Sequence, residues 1–280
     1  MADAATGPME SLSSWWKVAA LVTMAAGFAV LILLTVKAYQ NAPPIPEKFV
    51  NPAGGVVFTA DDVIAGQQVF LKHGLMDNGT IWGHGGYLGP DFSAQSLHIL
   101  ALDLADRIAR ERLSRGYTDL TPEERAAVDG AVALDLKANR YDQASGTLAL
   151  PTGAAESFKK QIEYWRRYFG EPERNGGLAR EAVSDPRELR QLTAFFAWTA
   201  WASAATRPGT SHSYTNNFPY EPLAGNTPTA NALIYSALSL VFLLGGTAAV
   251  LLAFGKFDYL GWHRRETVAA RAAVLQVSDA

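Results

Sequence analysis

Cysteine is absent from all 280 residues. That absence removes disulfides, thiolate metal sites, cysteine nucleophiles and the C-x-x-C-H attachment of a c-type haem. The redox compartment must therefore be read from topology. Basic tracts are missing too: no run of five or more Lys/Arg occurs, and the net charge is −3. No phosphate-neutralising field results, which excludes nucleic acid as a partner. Histidine is scarce, at His73, His84, His98, His212 and His263. No Ser-His-Asp constellation, Walker loop or H-E-x-x-H segment accompanies them.

Charge is missing from two blocks near the ends, Val18 to Val36 (VAALVTMAAGFAVLILLTV) and Ala232 to Phe254 (ALIYSALSLVFLLGGTAAVLLAF). A helix over the first covers about 28 Å, enough for the hydrocarbon core. It exceeds the roughly 7 to 15 apolar residues of a signal peptide, and no A-x-A site follows, so a retained anchor is expected. Gly245-Gly246 in the second predicts a face that a neighbouring helix approaches closely. Beyond it Lys256, His263, Arg264, Arg265 and Arg271 form a basic excess that the positive-inside rule places in the cytoplasm. Lys17 agrees with this orientation and Lys37, on the opposite flank, does not. Trp15, Trp16, Tyr259 and Trp262 are expected in the cytoplasmic interfacial belt. The chain thus divides into a cytoplasmic N-terminus (1–14), a span (15–39), an extracytoplasmic domain (40–228), a second span (229–255) and a cytoplasmic tail (256–280). Membrane lipid is its first expected partner.

Between the spans the pattern is mainly helical. NAPPIPEKFVNPAGG, with Pro43, Pro44, Pro46 and Gly54-Gly55, reads as an extended linker, a hinge or spacer. Thr59 followed by Asp61-Asp62 is an N-cap with an acidic first turn, and Val63, Gly66, Gln67 and Phe70 repeat at helical spacing up to Gly74. LMDNGTIWGHGGYLGPDF then reads as a long irregular loop, because its glycines suit no regular element. A helix is expected from Ser93 to Gly116, with Leu97, Leu100, Leu104 and Ile108 on one face. Thr121-Pro122-Glu123-Glu124 opens another, to about Ala138. Ser145-Gly146 predicts a small hairpin within Asn139 to Leu150. Helices over about Ala154 to Phe169 and Arg187 to Ala205 complete the domain. The last carries Phe195, Phe196, Trp198 and Trp201, a core helix in its ordinary reading and a cofactor-stacking one otherwise.

Three stretches in this order, GQQVFLKHGLMDNGTIWGHGGYLGPDFSAQSLH, FFAWTAWASAATRPG and SYTNNFPYEPLAGNTPTANALIYSALSL, resemble the N-terminal region of quinol-dependent nitric oxide reductases, relatives of the haem-copper oxidases. The likeness runs from about Trp16 to Trp262. It implies a mainly α membrane protein, two transmembrane helices flanking an extracytoplasmic cytochrome-c-like domain that has lost its haem. The setting it implies is the periplasmic side of a bacterial inner membrane, in a respiratory chain of denitrification. His73 to Asn78, where C-x-x-C-H belongs, contains no cysteine. Family members draw electrons from quinol and reduce two NO to N2O at haem b3 and a non-haem iron, beside a second haem b. The histidines that hold those groups lie on helices beyond the second span, so this chain is expected to be non-catalytic by itself and to dock on a haem b and non-haem iron bundle. Its final TVAARAAVLQVSDA does not resemble the family's continuation, which leaves a separate subunit or an interrupted reductase.

The resemblance also implies a metal. In two-subunit relatives a G-E-G-A-Y segment gives backbone oxygens to calcium at the subunit junction, and Gly83-His84-Gly85-Gly86-Tyr87 aligns with it. Gly85 and Tyr87 are the candidate ligands, with His84 in place of the acidic residue; otherwise the loop docks without metal. His73, His84 and His98 with Met76 are the groups available to a non-covalent haem. Their ordinary reading is hydrogen-bonded or exposed side chains. Asp61-Asp62, Glu123-Glu124 and Arg166-Arg167 read as caps and solvated faces. A two-span sensor or stand-alone scaffold with a helical ectodomain is the alternative function, although no heptads follow Phe254.

Overall fold

The computed structural model describes residues 14–173 and 175–256. Lys17, Trp15, Trp16, Tyr259, Trp262 and the basic cluster at His263, Arg264, Arg265 and Arg271 lie outside the residues whose side chains are described. Helix α1 (Ser14–Gln40) and helix α8 (Ala230–Leu251) carry the two apolar blocks. Both are long enough to cross a bilayer, with windows of mean hydropathy 2.1 and 2.3, and no part of either window is buried by the rest of the chain. A soluble protein would bury such helices in its core, so lipid is the solvent that suits them.

The segment after α1 is not a free spacer. Strands β1 (Lys48–Val50) and β2 (Val56–Thr59) form an antiparallel pair around the Pro52–Gly55 turn. Strand β1 also pairs in parallel with β6 (Thr147–Ala149), which pairs antiparallel with β5 (Tyr141–Asp142). The expected hairpin is therefore half of a four-stranded sheet of order β2-β1-β6-β5. Pro43, Pro44 and Pro46 end α1 as expected, but Phe49 is fully buried and Phe58 is 2% exposed. Burying two phenylalanines draws the linker into the domain.

Helix α2 (Ala60–Lys72) opens on a capping box between Thr59 and Asp62. Helix α4 (Phe92–Leu113) starts one residue earlier than expected because Asp91, not a serine, is its N-cap, and it stops before Gly116 because Ser114 takes the left-handed conformation. Helix α5 (Pro122–Lys137) has the expected Thr121–Glu124 capping box. Helices α6 (Ala154–Gly170) and α7 (Pro186–Ala204) follow. Helix α7 is the axis of the domain and packs on α2, α4 and α6. Its first half enters an aromatic core with Phe70, Phe92, Trp165 and Phe169. Its second half, through Ala200 and Ala204, enters an aliphatic core with Leu97, Leu104, Val128 and Val132.

Candidate functional site

The stretch expected to be an irregular loop contains short ordered elements: helix α3 (Leu75–Asn78) and the two-residue strands β3 (Thr80–Ile81) and β4 (His84–Gly85). Long-range polar contacts order it. The Asn78 side chain is 3% exposed, donates to the carbonyls of Asn175 and Gly176, and accepts from the Tyr168 hydroxyl at 3.1 Å. The Gly86 N–H donates to the Met76 carbonyl at 2.6 Å.

Backbone packing in this stretch requires glycine at Gly79, where a Cβ would strike the Pro90 carbonyl oxygen, and at Gly85 and Gly86. Gly85 has φ +142, and a Cβ there would strike the Gly79 and Met76 carbonyl oxygens. Gly86 passes so close to the Asp77 carbonyl that a Cβ has no room. The backbone can therefore fold on itself and leave Tyr87 and Leu88 projecting, 89% and 76% exposed.

Asp91, a carboxylate bonded to this stretch, is already engaged. Asp91 Oδ2 accepts from Thr80 Oγ1 at 2.9 Å and the Gly83 N–H at 2.6 Å, while Oδ1 accepts from Ser93 Oγ and the Ala94 N–H. Among the described residues no group of three or more His, Cys, Asp and Glu converges as a metal site. Calcium prefers several hard oxygens with carboxylates among them. The described residues of this loop bring no such set of carboxylates together.

The histidines are held apart. His73 caps the C-terminus of α2, and its Nε2 lies 2.9 Å from Glu188 Oε2; Lys72 Nζ lies 2.5 Å from the other oxygen. Hydrogen bonds from Lys72 and then His73 hold the Glu188 carboxyl below its usual range. His84 is exposed, with Nδ1 2.9 Å from the Trp82 carbonyl. His98 Nδ1 lies 2.7 Å from Glu221 Oε2. Met76 is 46% exposed. The four are not brought together around one volume.

Behind residues 73–78 the space is filled by rings. Phe92 stacks on Phe196 at 4.8 Å and 6°, Trp165 meets Phe196 at 4.9 Å, and Phe70 meets Phe92 edge-on at 5.8 Å. Phe195 and Phe196 thus take the core role expected of them. Trp198 reaches back to the chain after α1, its Nε1 donating to the Pro44 carbonyl at 2.9 Å. An apolar cavity of about 40 Å3 lies elsewhere, among Leu97, Leu100, Leu148, Phe158 and Trp201. It is far below the roughly 300 Å3 at which cofactor pockets begin.

Three polar residues escaped the sequence reading. Asp91 had a signal, an Asp directly before an apolar-periodic run. Glu188 had only its first-turn position on α7. Lys137 had none. Its ammonium, half-buried, bonds Asn217 Oδ1 at 2.8 Å and Asn226 Oδ1 at 2.5 Å, and burial pushes its pKa down to about 8.

Two bilayer-length apolar helices bracketing a small helical domain without cysteine define a mainly α membrane protein. Residues 46–220 match the family model for the cytochrome c-like domain of the nitric oxide reductase component NorB. The match spans more than half of the chain, which belongs to this family. A search of curated proteins found no match.

Proposed function

We propose that this chain is the non-catalytic N-terminal part of a quinol-dependent nitric oxide reductase. In this reading it holds a haemless cytochrome-c-like domain on the periplasmic side of a bacterial inner membrane and docks on a bundle that carries haem b, haem b3 and non-haem iron. One observation carries the proposal: the stretch where a haem would attach, 73–78, has no cysteine and is packed shut by Asn78 and the rings around Phe92. Electrons then enter the assembly from quinol, not through this domain. The faces at Gly245 and Gly246, where among the described residues no atom outside the local helix backbone would lie within 4 Å of an added Cβ, are where bundle helices pack in this reading. Gly85 and Tyr87 present backbone oxygens to a calcium ion shared with the partner.

Purification tests this directly. The isolated chain in detergent is expected to be colourless, whereas the assembly retained by it shows a b-type haem spectrum and reduces NO with quinol. A c-type haem signal from this chain, or NO reduction by the chain alone, overturns the proposal. A stand-alone scaffold predicts that no haem protein co-purifies. Chelation with EGTA is expected to weaken retention of the partner; unchanged retention removes calcium from the junction.

A further inference from the structure

Both spans end on one patch of the domain. Asn41, the residue after α1, donates from Nδ2 to the Lys37 carbonyl at 2.7 Å, and its Oδ1 accepts from the Arg207 guanidinium. The Pro44 carbonyl accepts from Trp198. Thr229, the N-cap of α8, donates its N–H to the Asn216 carbonyl at 3.4 Å. Trp82 lies 5.6 Å from Trp198, and Phe218 packs on Gly83, which brings the glycine stretch to the same place. Segments 39–46, 80–90 and 206–220 thus form a collar around the outer ends of the spans.

The collar's composition is unlike the rest of the domain. It contains no Asp or Glu, in a chain that has 27. Its charged or chargeable side chains are Arg207, His84 and His212, with Lys37 in the last turn of α1 beside it. Tyr39, Tyr220 and Phe218 are 81%, 67% and 38% exposed. The outer faces of α4 to α6 instead alternate charge, as in the Lys160–Asp103, Arg110–Asp106 and Arg166–Glu163 pairs.

We infer that the part of the collar built from 39–46 and 206–220 is a seat for the membrane surface itself, with 80–90 left to the partner: Lys37 and Arg207 engage lipid phosphate, and Tyr39, Phe218 and Tyr220 enter the headgroup layer. Two observations select lipid as the occupant. The collar is continuous with both spans and begins within a residue of the end of α1, inside a headgroup layer about 5 to 7 Å thick. The charges within 39–46 and 206–220, with Lys37 beside them, are opposite in sign to phosphate, Glu47 and Glu221 lying just outside those segments, and amphipathic rings are stable at that depth. Lys37 then serves the outer phosphates by extending along the helix, which explains a cation on the flank opposite the one expected. The inference rests on the spans alone and not on the reductase reading.

The absence of cysteine makes the test clean. Single variants Thr210→Cys and Tyr220→Cys on the collar, and Arg112→Cys near the far end of α4, are labelled with a nitrobenzoxadiazole dye. The full chain is then placed in phosphatidylcholine vesicles with phospholipids bearing a headgroup nitroxide. Quenching at 210 and 220 is expected to exceed that at 112 several-fold. With spin-labelled phosphatidylglycerol the collar labels are quenched more, and Arg207→Gln lowers that preference about fivefold, the effect of one surface cation. Equal quenching at the three sites overturns the inference, as does a preference untouched by Arg207→Gln. Loss of quenching at 210 and 220 when a haem-bearing partner is bound assigns the collar to protein and also overturns it.

Discussion

Gly66 lies where α2 crosses α7, and a Cβ there would collide with the Gln191 carbonyl oxygen and crowd Phe195. Backbone cannot yield as a side-chain end does, so Gly66→Ala is expected to destabilise the domain by about 1–3 kcal/mol, read by denaturant unfolding of the full chain in detergent. Phe92→Ala empties the centre of the ring cluster and is expected to lose about 3–5 kcal/mol in the same measurement. Two titrations add pH dependences of the same sign in separate windows, because each folded pKa lies below the unfolded one. Glu188 is held below its ordinary 4.5 by Lys72 and His73, so its contribution is full above that value and is lost as pH falls through the lower folded value. The stability gap between the natural chain and Glu188→Gln is therefore expected to close on acidification below pH 4.5. Lys137 is depressed to about 8 from 10.5, so the unfolded chain binds more protons between those values. Stability is expected to rise with pH across that window, and Lys137→Gln to abolish the rise.

Among elements, those with local start signals are the ones the sequence predicts. The capping box at Thr121–Glu124 forms as expected, and the N-cap expected at Thr59 is closed by Asp62 into a second box. Thr121→Ala is expected to cost α5 about 1 kcal/mol, seen as faster hydrogen exchange of its first turns. Elements stabilised from a distance are legible only in part. Strand β1 read as linker because its partner β6 lies about 100 residues on. The glycine stretch read as irregular because α3, β3 and β4 are fixed by Asn78 reaching Asn175 and Gly176. Neither contact leaves a periodic trace along the chain.

For the whole molecule, the two spans are the dominant feature, and the inside or outside position of the domain follows from charges on their flanks. In intact cells, a membrane-impermeant maleimide is expected to label Arg112→Cys from the outer side. Labelling only after the cytoplasmic face is opened would reverse the proposed orientation. The glycine pair in α8 offers a second measurement at this scale: Gly246→Leu is expected to reduce recovery of the haem-bearing partner without changing the unfolding of the domain, because the substitution fills a face this chain leaves open.

The sequence alone determined which segments prefer lipid, where the principal helices begin, and that no cysteine is present for a thioether-linked haem. Each is a property of contiguous residues: hydrocarbon solvation sums over neighbours, caps act within one turn, and a haem motif is a short run. The tertiary structure decided that the supposed linker carries a sheet strand, that residues 73–78 are backed by rings from four helices, and that segments 39–46, 80–90 and 206–220 meet around the spans. Those outcomes depend on chain closure over many tens of residues, where burial of Phe49, Phe92 and Asn78 outweighs the local preferences that the sequence displays.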